Sequence, residues 1–199
     1  MTTLLHSIVR LSAKSDVLES IKDEEVSLAA WERHPPTGLA ELLKSEVQDV
    51  RFACDLALLK GRLISELAAG GYPECAGRRA LVNDILELSR LFCDVMSLHS
   101  LDLRLEVVTT NSCRKFHGDY VTARLITTYV GSGTQWLDEH DADRESRGLE
   151  PLEINQLSAG DVGLFKGKLA AERPAIHRSP PIEGSGERRL LLVLNPAQA

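Results

Sequence analysis

The chain has 199 residues, 43% hydrophobic and 26% charged, enough apolar content to close one core. It holds no apolar run of about 18 residues, the length needed to cross a membrane as a helix. Lys and Arg number 23 against 29 Asp and Glu, and the formal charge of -6 argues against a non-specific grip on nucleic acid or an anionic membrane. The N-terminal stretch Leu4–Leu11 is short, is interrupted by His6, Ser7 and Arg10, and lacks a small-residue cleavage site, so a cytoplasmic chain is expected. Cys54, Cys75, Cys93 and Cys113 show no CxxC spacing, and free thiols are expected.

One domain over residues 1–199 is expected, mainly helical over 1–100 and all-β over 101–195. Val26–Trp31 is short and β-permissive, and Pro35-Pro36 breaks the chain after it. From Gly38 to Ala69, Leu39, Leu42, Leu43, Val47, Val50, Cys54, Leu58 and Leu59 recur at spacings of three and four, which predicts one or two helices ended by Gly70-Gly71 and Pro73. A second helix is predicted where Leu81, Ile85, Leu88, Leu91, Phe92, Val95 and Leu98 form one stripe. Cys54 and Cys93 fall on or beside these stripes and read as core thiols.

After Leu101 the period drops to two. Leu103, Leu105 and Val107 alternate with Arg104, Glu106 and Val108, and Val121–Val130 is rich in β-branched residues. Leu152–Leu157, Asp161–Lys166 and Arg188–Leu194 are further strand candidates, separated by Gly- and Pro-rich turns. Short strands without an intervening helical period predict an α+β chain whose core is an antiparallel double-stranded β-helix, a cupin-like jelly roll, with the helical N-terminal half packed outside. Asp138–Arg147 reads as a solvated loop.

The chemistry concentrates at Cys113-Arg-Lys-Phe-His117-Gly-Asp119. A His and an Asp two apart in extended chain point to one side, and His177, sixty residues on, supplies a third ligand just before the last predicted strand. Two His and one carboxylate on one face of an ion leave the opposite positions open, the arrangement of non-haem Fe(II) sites. Ten residues separate His177 from Arg188, whose fork on the last strand is placed to take a remote carboxylate of a dicarboxylate ligand, with Arg189 as substitute if the register slips by one. Tyr129 could hydrogen-bond the same ligand if its strand faces inward, and Lys166 would add a second cation. Arg124 reads as a structural ion-pair partner, and Trp31 and Trp136 as packing anchors.

At this point the chain resembles the Fe(II)/2-oxoglutarate-dependent oxygenase superfamily, in order and spacing its prolyl-hydroxylase-like branch. The resemblance runs over roughly residues 103–195, through His117-x-Asp119, Arg124-Leu-Ile-Thr-Thr-Tyr129, Gly131-Ser-Gly-Thr134, Ser158-Ala-Gly-Asp161 and His177 with Arg188. The wording CRKFHGDY, TYVGSGTQWL, LFKG, HRSPP and GERRLLL, with Leu28–Arg33, is similar to a bacterial family, Domain of Unknown Function family 1826. The superfamily resemblance implies Fe(II) held by His117, Asp119 and His177, 2-oxoglutarate anchored by Arg188, and hydroxylation of a small-molecule or protein substrate. The narrower one implies an association with zinc homeostasis. A zinc-binding protein without oxygenase activity is therefore the alternative, its tetrahedral site closed by Cys113. That closure requires the chain to turn between Cys113 and His117, whereas His117 and Asp119 converge from an extended chain, which keeps Cys113 away from the ion.

Overall fold

The structure is a computed structural model that describes residues 8–197; the first half of the Leu4–Leu11 stretch, residues 4–7, lies outside them. Apolar and polar residues alternate in one central strand, and the others are buried along nearly their whole length. In β4 (Ser100–Val108) Leu101, Leu103 and Leu105 are buried on one face while Asp102, Arg104 and Glu106 take the other. In β10 (Arg189–Pro196) Leu190, Leu192 and Leu194 join the first of these faces, and Leu191 and Val193 join the second. With β5 (Ala123–Val130) and β8 (Val162–Lys166) these strands form the middle of a seven-stranded sheet, in the order β1-β2-β8-β5-β10-β4-β3. All its pairings are antiparallel except β1 with β2.

A small sheet of β7 (Asn155–Gln156), β6 (Gln135–Trp136) and β9 (His177–Arg178) faces it and is extended by a single bridge between His177 and His117. Leu28, Ala30, Ile126, Phe165, Leu191 and Val193 from the large sheet meet Trp136, Leu157 and Ala175 in the space between. The far face of the large sheet is covered by α1 (Leu59–Ala69) and α2 (Ala76–Met96). The α2 stripe is the expected one, with Leu81, Ile85, Leu88, Phe92 and Val95 buried. Among the described residues no helix is long and apolar enough to cross a membrane.

The expected helical N-terminal half is not found. Strands β1 (Ile8–Ser12), β2 (Val26–Trp31) and β3 (Val50–Asp55) occupy both edges of the large sheet, linked by 3-10 turns, and α-helix begins only at Leu59. The spacing Val47, Val50, Cys54, Leu58 imitates a helical period, but Val50 and Phe52 lie on one face of a strand and face the helices with period two. Asp138–Arg147 is also not a loop: it contains α3 (Glu139–Ser146). Asp138 caps that helix by accepting from the Asp141 N–H at 2.8 Å, and acidic residues fill the first turn, signals that outweigh the lack of an apolar stripe.

Candidate metal centre

His117 and His177 are brought side by side by the backbone itself. Each N–H donates to the other's carbonyl at 3.0 Å, and the ring centroids lie 4.9 Å apart. Gly118 then lets the chain pass Pro174, whose Cγ would be 2.8 Å from an added Cβ. Asp119 is seated by its carbonyl, which accepts from the Lys168 N–H at 2.8 Å. At Gly167 an added Cβ would strike the Val121 carbonyl, so this approach of β8 to the Asp119 loop requires glycine.

Three ligand atoms, one from each of His117, Asp119 and His177, lie within 4.8 Å of one another. Nδ1 of His117 is 2.9 Å from the Lys115 carbonyl and Nδ1 of His177 is 3.2 Å from the Ala175 carbonyl. Protonated Nδ1 atoms satisfy both carbonyls and leave both Nε2 lone pairs turned to the centre. Asp119 Oδ2 is buried without a hydrogen-bond donor and lies 3.2 Å from His177 Nε2. Two lone pairs at that separation repel unless a proton or a metal cation bridges them, so the donor set fits a divalent ion. Burial raises the Asp119 carboxyl, but His177, then Arg124 and His117, outweigh it and hold it below the ordinary carboxylate range.

His117 and His177 border a cavity of about 130 Å³ whose walls include Arg104, Glu106, Arg124, Thr134, Ser179 and Val193. Behind Ser179 sits Arg189, with 0% exposure. It donates from Nε to the Ser132 carbonyl at 2.6 Å, from Nη1 to Ser179 Oγ at 3.1 Å and from Nη2 to Thr128 Oγ1 at 3.2 Å. All three acceptors are neutral. Burial, partly offset by Glu187, brings its pKa down to about 10, so at neutral pH it is a buried cation whose hydrogen-bond partners carry no charge.

The residues expected to hold a co-substrate fall on the wrong side of the large sheet. Arg188 faces the helices and donates to the Leu43 carbonyl. Tyr129 donates to Asp84 Oδ2 of α2 at 2.8 Å, and burial together with that carboxylate pushes its phenol well above the ordinary range. Lys166 is buried and donates to the carbonyls of Asp23 at 2.6 Å and Glu24 at 3.4 Å. The cause is parity: each is an odd number of positions from an inward neighbour, Arg189, Thr128 or Phe165. Ser179, Thr128 and Asn195 were missed, although Ser179 shares the parity of His177, and Asn195 that of Arg189. Cys113 lines the cavity but is exposed, with φ 53°, and does not join the ligand cluster, so the site closed by a thiolate is not formed. A second cluster, Asp138, His140 and Asp141, is structural: Asp141 accepts from the N–H groups of Leu152 and Glu153 at 2.8 and 3.0 Å.

The fold is similar to that of dioxygenase for auxin oxidation 1 from Arabidopsis thaliana, solved as a 2-oxoglutarate complex, with 11% identity, a TM-score of 0.53, and 97% of this chain and 93% of that one covered. It is similar also to a candidate oxygenase from Shewanella oneidensis, with 12% identity, a TM-score of 0.50, and 94% and 89% covered. At such identities the likeness is one of fold alone, a large, mainly antiparallel sheet in a mixed α/β chain. A comparison with curated protein sequences gave no significant match. Residues 12–195 match the family described as "Protein of unknown function (DUF1826)", the narrower of the two resemblances carried by the motifs, and the chain belongs to that family.

Proposed function

We propose that the protein is a non-haem Fe(II) and 2-oxoglutarate-dependent oxygenase of the hydroxylase type. The observation that carries this reading is the buried Arg189 guanidinium, hydrogen-bonded only to neutral groups and one hydroxyl away from a cavity that His117 and His177 line. His117, Asp119 and His177 would hold the iron, and Arg189 with Ser179 and Thr128 would take the remote carboxylate of 2-oxoglutarate. Fe(II) with 2-oxoglutarate supplies oxidation of a substrate C–H bond by O₂ with decarboxylation of the co-substrate. The chain's own part is to orient and to keep water out. Lys115 and Ala175 carbonyls fix the imidazole tautomers, Phe165 packs on His177 with ring centroids 4.6 Å apart, and Arg189 draws a dianion inward. A cavity of about 130 Å³ suits a small co-substrate and leaves the substrate to enter from the side of Ser112 and Cys113.

The test is anaerobic titration of the apoprotein with Fe(II), followed by 2-oxoglutarate, with elemental analysis and the charge-transfer absorption of the chelate as readouts. One ion per chain and a saturable band are expected. His117→Ala, Asp119→Ala and His177→Ala should each lose the ion while remaining folded. Binding of zinc with no chelate band in any metal form would support the zinc-binding alternative, and full metal retention in all three variants would overturn the site.

A further inference from the structure

Both oxygens of the Asp119 carboxylate are near enough to ligate the same ion. Oδ2 lies 3.2 Å from His177 Nε2, and Oδ1 lies 3.6 Å from His117 Nε2. Donor atoms bound at about 2.1 Å, and at right angles around one ion, are roughly 3 Å apart, so the geometry of the three side chains alone does not choose between one oxygen and two. The difference between the oxygens is Arg124. Its Nη1 donates to Oδ1 at 2.6 Å, while Oδ2 receives no donor. The arginine is itself held from behind, because its Nε donates to Asn195 Oδ1 at 2.7 Å. Asn195 is buried on β10 and Arg124 stands on the neighbouring β5, so the fork cannot swing away without abandoning a partner.

We infer that Arg124, held by Asn195, is a positioning residue that confines Asp119 to a single ligating oxygen and so keeps one more coordination position open. The inference rests on the metal-site reading above. Two imidazoles and one oxygen take three of six octahedral positions, which leaves room for a two-point chelator and one diatomic molecule. A carboxylate bound through both oxygens takes a fourth position, and the chelator then leaves no vacancy. Removing a cation from beside a divalent ion does not by itself weaken the ion's binding, so the loss would appear in the open positions and not in metal affinity.

The experiment compares wild type with Arg124→Met, Arg124→Lys and Asn195→Ala, loaded with Fe(II) under anaerobic conditions. Three readouts are taken: metal affinity against a chromophoric chelator, the infrared splitting of the carboxylate stretches in protein labelled with ¹³C at aspartate carboxylates, and binding of nitric oxide to the 2-oxoglutarate complex. In Arg124→Met, metal affinity should stay within about threefold or rise, the splitting should narrow as Oδ1 joins the ion, and nitric oxide affinity should fall at least about tenfold. Arg124→Lys should restore the wide splitting with its single donor. If Arg124→Met does not fold, Asn195→Ala should shift the same readouts in the same direction by a smaller amount. An unchanged splitting in every folded variant, or metal affinity reduced more than about tenfold with nitric oxide binding unaffected, overturns the inference. Wild type that binds the ion but not 2-oxoglutarate overturns the oxygenase reading and leaves the infrared comparison to judge Arg124.

Discussion

Adjacent arginines on one strand have opposite tasks. Arg188 lies against the helices with a backbone carbonyl for partner, whereas Arg189 sits between the sheets among two hydroxyls and a carbonyl. A buried guanidinium hydrogen-bonded only to neutral groups costs stability in the ligand-free protein, so Arg189→Met should be at least as stable as wild type in urea unfolding. The sign with pH follows from its depressed pKa. Below about 10 the folded protein carries the charge at a cost, and above it that cost is lifted because the unfolded chain keeps the proton and the folded one does not. The stability gap between Arg189→Met and wild type should therefore narrow as pH rises past about 10. Towards 2-oxoglutarate the same substitution should lose about 2 to 5 kcal/mol, the scale for truncating one partner of a buried charge pair, while Arg188→Ala stays within about threefold. A chelate-band titration in which Arg188→Ala loses affinity and Arg189→Met keeps it would reverse the assignment.

At the scale of elements, one carboxylate ties three of them together. Asp84, buried on α2, receives Arg33 Nη1 at 2.5 Å and Nη2 at 2.8 Å from the segment after β2, and the Tyr129 hydroxyl at 2.8 Å from β5. Arg33 also lies 4.9 Å from the Trp31 ring centroid, and its N–H donates to Asp161 Oδ1 at 3.1 Å. Asp84→Ala leaves a buried cation uncompensated and should cost about 3 to 5 kcal/mol in urea unfolding. Tyr129→Phe removes one hydrogen bond while Arg33 still satisfies the carboxylate, so about 1 kcal/mol is expected. Because Tyr129 points away from the cavity, its 2-oxoglutarate affinity should match wild type. A large loss there would return Tyr129 to the ligand site.

For the whole molecule, the proposed ion would be a guest of a fold held together by apolar packing. Two apolar clusters, one between the sheets and one under the helices, hold the strands together, and Phe165 of the first packs on His177. A ligand that binds only the folded state adds about 2.7 kcal/mol at a concentration 100 times its dissociation constant. Fe(II), and then 2-oxoglutarate, should therefore raise the unfolding free energy of wild type stepwise. Asp119→Ala should unfold cooperatively without metal and show neither increment. A variant that cannot fold at all would mean that the ion is structural.

The cluster of His117, Asp119 and His177 was legible in the sequence because His-x-Asp with a distant His is a pattern of chemical types, and types survive any error of register. Strand β4 was legible through alternation, β5 through its β-branched residues, β8 and β10 as apolar runs between Gly- and Pro-rich turns, and α2 through its stripe. What only the tertiary structure decided is which face of a strand looks inward. Strand β10 is buried on both faces, with leucines or valine on each, so no wet side marks its outside, and Arg188 and Arg189 are indistinguishable until β4 and β5 pair with it. The same ambiguity hid the direction of Tyr129 and Lys166. Strand β3 was hidden because its partner lies far along the chain: hydrophobic spacing within a short window reports local period, whereas a sheet edge is chosen by the strand already waiting there, here β4.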